Sequence, residues 1–203
     1  QSEVEGFQLD ELRESGYRID WMNQSNANGL RLPTIIKDSL YTLDADDHLT
    51  RYDLQSGKWL WSAPVGNKIY EIRSIIEFPT DNHIYILSDG ALYVLEKSTG
   101  NNPSQINSSG NAYSGVKRVQ PLRWTANTPA ITVDDKTLIY GSTKGDAVWF
   151  NPTIGFDSHR YRIGSLITVM PTLVSGVRNQ RGDKRKAIVV TSNDGNIVAI
   201  DLN

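Results

Sequence analysis

The chain has 203 residues, enough to bury one sizeable core, and all-β domains of this length are often single. Its 21 Lys and Arg against 23 Asp and Glu give a formal charge of −2, no general field for nucleic acid or an anionic membrane, while zero cysteines rule out disulfides, thiol chemistry and Cys-type zinc sites. No apolar run approaches the roughly 18 residues of a membrane-spanning helix, so neither nucleic acid nor a membrane span is expected.

The start, "QSEVEGFQLDELRESG", is polar and acidic. Within it, residues 7–15 predict a short helix, with Phe7, Leu9 and Leu12 near one face and Gly16 as its stop. A first residue of Gln reads as a processed chain whose signal peptide has been removed, giving an expected location in the periplasm or outside the cell.

From residue 25 onward the sequence repeats. "LTRYDLQSG", "LYVLEKSTG", "AVWFNPTIG" and "IVAIDLN" each run an alternating strand into an acidic or amide residue: Asp53, Glu96, Asn151 and Asp201. Ahead of each lies a partner strand joined by a turn-forming loop: "SLYTL" with "DADDH", "HIYIL" with "SDG", "TLIYGS" with "TKG", and "AIVVTS" with "NDG". A further β-branched segment precedes every hairpin ("LRLPTII", "EIRSIIEF", "NTPAITV", "ITVMPTLV"), often with a Pro near its start, where a strand tolerates one. After the first hairpin, Gly57 leads into the tryptophan strand "KWLWSAPV".

One repeat is therefore four antiparallel strands in about 45 to 50 residues, the pattern of a propeller blade. The expected organisation is a polar segment over 1–15 and an all-β propeller over 16–203, with about four blades at roughly 25–65, 66–115, 116–160 and 161–203. The last repeat ends at Asn203 after its third strand, while "GYRIDWMNQ", 16–24, resembles the missing piece, with Gly16 and Trp21 in the places of Gly57 and Trp61. Residues 16–24 are thus expected to complete the last blade and close the ring. Two other arrangements stay open: a portion of a longer propeller, and two half-rings joined as a dimer.

The stretch "LYTLDADDHLTRYDLQSGKWLW" and, at 194–203, "DGNIVAIDLN" resemble the repeat of pyrroloquinoline-quinone-like propellers, whose tryptophans dock between adjacent blades. The resemblance implies structural roles for Gly57, Trp61, Trp21, Asp53 and Asp201. It weakens in the middle, where no tryptophan follows Gly100 and His159 stands about where one is expected. Its enzyme branch oxidises alcohols and sugars with the quinone, calcium, an aspartate base and often a disulfide of neighbouring cysteines. This chain has no cysteine, and no residue matches the base by motif. The other branch binds proteins and includes a periplasmic lipoprotein of the outer-membrane assembly machinery. The resemblance therefore implies a scaffold binding protein or glycan, with no cofactor of its own; a quinone-dependent dehydrogenase and a purely structural domain of a longer protein are the alternatives.

Two clusters are candidate sites. Asp44, Asp46 and Asp47 group three carboxylates that can ligate calcium, which prefers oxygen donors, although a solvated hairpin turn is the favoured reading. Arg181, Lys184 and Arg185, in "NQRGDKRKA", form a basic hairpin tip that can dock an acidic partner or phosphate. The Asn- and Ser-rich stretch 101–115 reads as an insertion between repeats. Trp59, Trp61, Trp124 and Trp149 serve either as core or as a stacking surface, and His48, His83 and His159 lack any helical His partner. No nucleophile elbow, phosphate-cradling loop or zinc helix is present.

Overall fold

A computed structural model describes residues 14–24, 29–65, 69–102, 118–178 and 182–202. Its strands form four antiparallel sheets in chain order. Blade 1 comprises β1 (Leu30–Ile36), β2 (Ser39–Asp44), β3 (His48–Asp53) and β4 (Trp59–Pro64). Blade 2 comprises β5 (Ile72–Glu77), β6 (His83–Ser88), β7 (Ala91–Glu96) and β8 (Val119–Pro121). Blade 3 comprises β9 (Ile131–Thr132), β10 (Leu138–Gly141), β11 (Asp146–Asn151) and β12 (Phe156–Arg162). Blade 4 has three described strands, β13 (Thr172–Arg178), β14 (Lys184–Thr191) and β15 (Ile197–Asp201). The chain is an all-β propeller of antiparallel blades.

Side chains alternate across a strand, so a sheet stacked on both sides must be apolar on both faces. β6 shows this. Ile84 and Ile86 join Tyr41, Leu43, Leu49 and Trp61 of blade 1 in one core. Tyr85 and Leu87, pointing the other way, join Leu138, Tyr140, Val148 and Phe150 of blade 3. A third core unites Ile139, Ala147 and Ile167 with Ile188 and Val190 of blade 4. Hydrophobic burial is thus concentrated between blades, and the continuous run "HIYIL" is apolar because both of its faces are covered.

The outer blades each leave one face bare among the described residues. On blade 1, Leu30 and Ile35 are exposed, and on blade 4 Ile197 is 75% exposed. The expected pairing of residues 16–24 with β15 is not among the described strand pairs, and residues 17–24 form no strand. They seat Trp21 on blade 1, as the outer strand of a preceding blade would. The helix expected over 7–15 lies outside the described residues except for Glu14 and Ser15, and the 101–115 insertion lies outside them except for Asn101 and Asn102.

Alternating strand direction sorts the loops. Turns joining strands one to two and three to four lie at one end of each blade, here the first end. Turns joining strands two to three, and blade to blade, lie at the second end.

Candidate functional site

At the first end, one turn recurs in three blades. Gly57, Gly100 and Gly155 have φ of 68°, 71° and 77°, and their amides donate to the carbonyls of Asp53, Glu96 and Asn151 at 2.9, 2.8 and 2.9 Å. Each turn receives a side chain from the neighbouring element. Trp21 Nε1 donates to Leu54 O at 2.8 Å, Trp61 Nε1 to Lys97 O at 2.9 Å, and Gln120 Nε2 to Pro152 O at 2.8 Å. The indoles of Trp21 and Trp61 occupy the space a Cβ would need at Gly57 and Gly100, which is why glycine stands there. Gln120 takes the tryptophan's role between blades 2 and 3, and sequence reading missed it. His159 does hold the tryptophan register, since Trp149 pairs with it as Arg51 pairs with Trp61, but its side chain is exposed. Asp53 accepts from Ser56 N at 2.8 Å and Ser56 Oγ at 2.6 Å, and these bonds hold its carboxyl below the usual range. Asp201 ends β15 and receives the Arg185 guanidinium.

Ionisable groups between the blades also bond to one another. Glu77, its side chain 1% exposed, accepts from Tyr41 Oη and Lys97 Nζ, both at 2.5 Å. Arg51 donates to Ser39 Oγ and, through Nη1, to Lys97 O at 2.8 Å, so one carbonyl takes both Arg51 and Trp61. Burial, then the bond to Glu77, raises the pKa of Tyr41. On blade 2, Asp81 accepts from His83 Nδ1 at 2.5 Å and from Tyr85 Oη. The Asp81 bond raises the His83 pKa despite partial burial. Burial works to raise the pKa of Asp81, but its bonds from His83 and Tyr85 outweigh that and lower it. Burial first, and Asp81 second, push Tyr85 upward. Tyr41 and Arg51 thus tie blade 1 to Glu77 and Lys97 of blade 2, while the Asp81–His83–Tyr85 bonds are local to blade 2.

The three acidic candidates lie in the β2–β3 turn and are not brought together. Asp44 Oδ1 accepts the amides of Asp46 and His48, both at 2.8 Å, closing a local turn. Asp47, buried at φ 60°, receives Arg31. No group of three His, Cys, Asp or Glu among the described residues is placed to hold a metal ion. Of the basic candidates, Arg181 lies outside the described residues, Lys184 opens β14 with its side chain outside them, and Arg185 pairs with Asp201.

Two open grooves lie among the described residues. One, of about 690 Å³, lies on the bare face of blade 1 between Trp21 and Met22 on one side and Asp44, Tyr52 and Trp59 on the other. Trp59 is 57% exposed there. The second, also about 690 Å³, runs between blades 3 and 4 past Asp134, Trp149, Ser175, Arg185 and Lys186.

A family model of the pyrroloquinoline-quinone type, described as outer membrane protein assembly factor BamB, matches residues 11–203. Among curated proteins, none matches the chain. Solved structures resemble it at low identity. The computationally designed Ika4 protein is 14% identical with a TM-score of 0.60, covering 92% of this chain and 99% of that one. Sqt1 of Saccharomyces cerevisiae is 12% identical with a TM-score of 0.57, covering 81% of this chain and 40% of that one. Quinohemoprotein alcohol dehydrogenase ADHIIG from Pseudomonas putida HK5 is 15% identical with a TM-score of 0.56, covering 86% of this chain and 33% of that one. At such identities the likeness is one of fold. The chain spans less than half the length of these two natural proteins.

Proposed function

The chain belongs to the family of outer membrane protein assembly factor BamB, and from that premise we propose that it is a non-catalytic, protein-binding assembly scaffold working outside the cytoplasm. The observation that carries this reading is the groove on blade 1. It is open along its length and lined by Trp21, Tyr52 and Trp59 beside polar side chains. Large, rigid aromatic side chains at an exposed surface are the usual anchors of protein interfaces. A protein partner fits this opening better than a small substrate, which needs a site that excludes water.

The use made of ionisable groups supports the same reading. Glu77, Lys97, Arg51, Asp81 and His83 are bonded across or within blades, where they fix geometry. A general acid or base must instead reach a substrate proton.

The test uses immobilised protein against envelope extract of its own source, together with a titration by pyrroloquinoline quinone and calcium. The expected result is retention of an outer-membrane assembly protein, reduced about tenfold by Trp59→Ala, with no dye-linked alcohol oxidation. Saturable quinone binding with alcohol oxidation, and no retained protein, would overturn the proposal in favour of the dehydrogenase reading.

A further inference from the structure

Strand β12 pairs with β11 so that Arg160 stands opposite Val148 and Arg162 opposite Asp146. Residues two apart on a strand share a face, so both guanidinium groups project from the side of blade 3 that carries Val148 toward blade 2. There Arg160 meets Trp124, in the connection from blade 2. Arg160 Cζ lies 4.0 Å from the centre of the indole, with Arg123 Cζ at 5.6 Å and Lys144 Nζ at 5.8 Å from the same ring. Four cations thus gather at one rim of the second end, in a chain whose net charge is −2.

Asp146 engages two of them loosely. Asp146, its side chain 1% exposed, meets Arg160 Nη1 at 3.7 Å and Arg162 Nη1 at 3.5 Å, both through Oδ2. Neither guanidinium makes a two-bonded fork with it, and Asp146 Oδ1 has no hydrogen-bond partner among the described residues. Asp157, also near, accepts from Trp124 Nε1 at 3.3 Å. The side chains of Arg160 and Arg162 stay 44% and 64% exposed, and Arg123 and Lys144 are exposed too. Stacking on Trp124 holds Arg160 in place before any ligand arrives, which lowers the entropy cost of binding. An anionic occupant would relieve the mutual repulsion of the four cations.

We propose that this rim is a docking site for an extended acidic segment of a partner protein. Carboxylates at alternate positions of such a segment are spaced about 6.6 Å apart, matching Arg160 and Arg162 along β12. Arg123 and Lys144 extend the field past the end of the strand, farther than one small anion reaches. β12 is the outermost strand of its sheet, so its free edge leaves room for an extended chain beside it. The inference rests on the scaffold reading and names the chemistry of one partner segment.

The test is fluorescence anisotropy of a labelled peptide of alternating Glu and Thr, with the Gln–Thr peptide as its neutral isostere. The acidic peptide is expected to bind at least about tenfold tighter at low salt and to be released as screening rises. Arg160→Gln with Arg162→Gln should weaken it by about tenfold or more. Arg162→Gln alone, at an exposed side chain, gives an intermediate loss with the fold intact. Lys37→Gln with Lys136→Gln, exposed and remote from this rim, should change it little. Equal loss in that charge-matched pair, displacement by millimolar inorganic phosphate, or tighter binding to phosphatidylglycerol vesicles than to the peptide would each overturn the proposal. If the peptide fails while the partner is still retained in a Trp59-dependent way, this inference falls and the scaffold reading stands.

Discussion

Replacing Gly100 by alanine probes how the blades are locked together. Gly100 has φ +71°, and a Cβ built there would lie 2.6 Å from Trp61 Cε3. The alanine meets two penalties. A left-handed backbone costs an L-residue about 1–2 kcal/mol, and the indole, 5% exposed within the core between blades 1 and 2, must move. Moving it breaks the Trp61 Nε1 bond to Lys97 O, worth about 1 kcal/mol. The expected loss is about 3 kcal/mol. Gly195, at φ +87° with nothing within 4 Å of its Cβ position, is the internal control. Gly195→Ala carries the backbone term alone, about 1 kcal/mol. Urea unfolding followed by circular dichroism gives both values. Adding Trp61→Leu should make the Gly100→Ala change cost less than it does alone, because the clashing ring is gone. Equal losses at Gly100 and Gly195, or strict additivity with Trp61→Leu, would refute the docking argument.

Three other outcomes follow from the same contacts. Gln120→Ala should destabilise by about 1–2 kcal/mol in urea unfolding, because Gln120 is buried and donates to Pro152 O. Glu77→Gln should cost about 3 kcal/mol in the same assay, since it leaves the partly buried Lys97 ammonium without its counter-charge. The His83–Asp81 pair should give a pH-dependent melting temperature. His83 titrates above its ordinary 6.5, so its contribution is complete below that pH and fades as pH rises through the raised value. Asp81 titrates below its ordinary 3.8, so its contribution fades as acid passes through the lowered value. His83→Gln should flatten the fall above pH 6.5, as thermal scans across pH would show.

The first blade was legible because its signals are local. Asp53, Gly57 and Trp61 fall within nine residues, and the turn they form depends on near neighbours. The second blade hides the equivalent turn partner. The chain between Gly100 and β8 postpones the fourth strand, so the docking side chain becomes Gln120, distant in sequence and different in chemistry. Asp44, Asp46 and Asp47 are adjacent in sequence, but only the turn geometry shows Asp44 accepting backbone amides and Asp47 receiving Arg31. The basic rim was out of reach because Arg123, Lys144, Arg160 and Arg162 come from three separate stretches. Only the β11–β12 register shows that Arg160 and Arg162 share a face with Asp146.

The central claim, that the grooved propeller holds a protein partner, is tested most directly by a photo-reactive residue at Lys58, beside Trp59 in the blade 1 groove, with one at the exposed, remote Lys136 as reference. The account predicts a discrete crosslink from position 58 to an outer-membrane assembly protein in envelope extract, and none from position 136. Crosslinks of equal yield from both positions, or none from position 58, would contradict it.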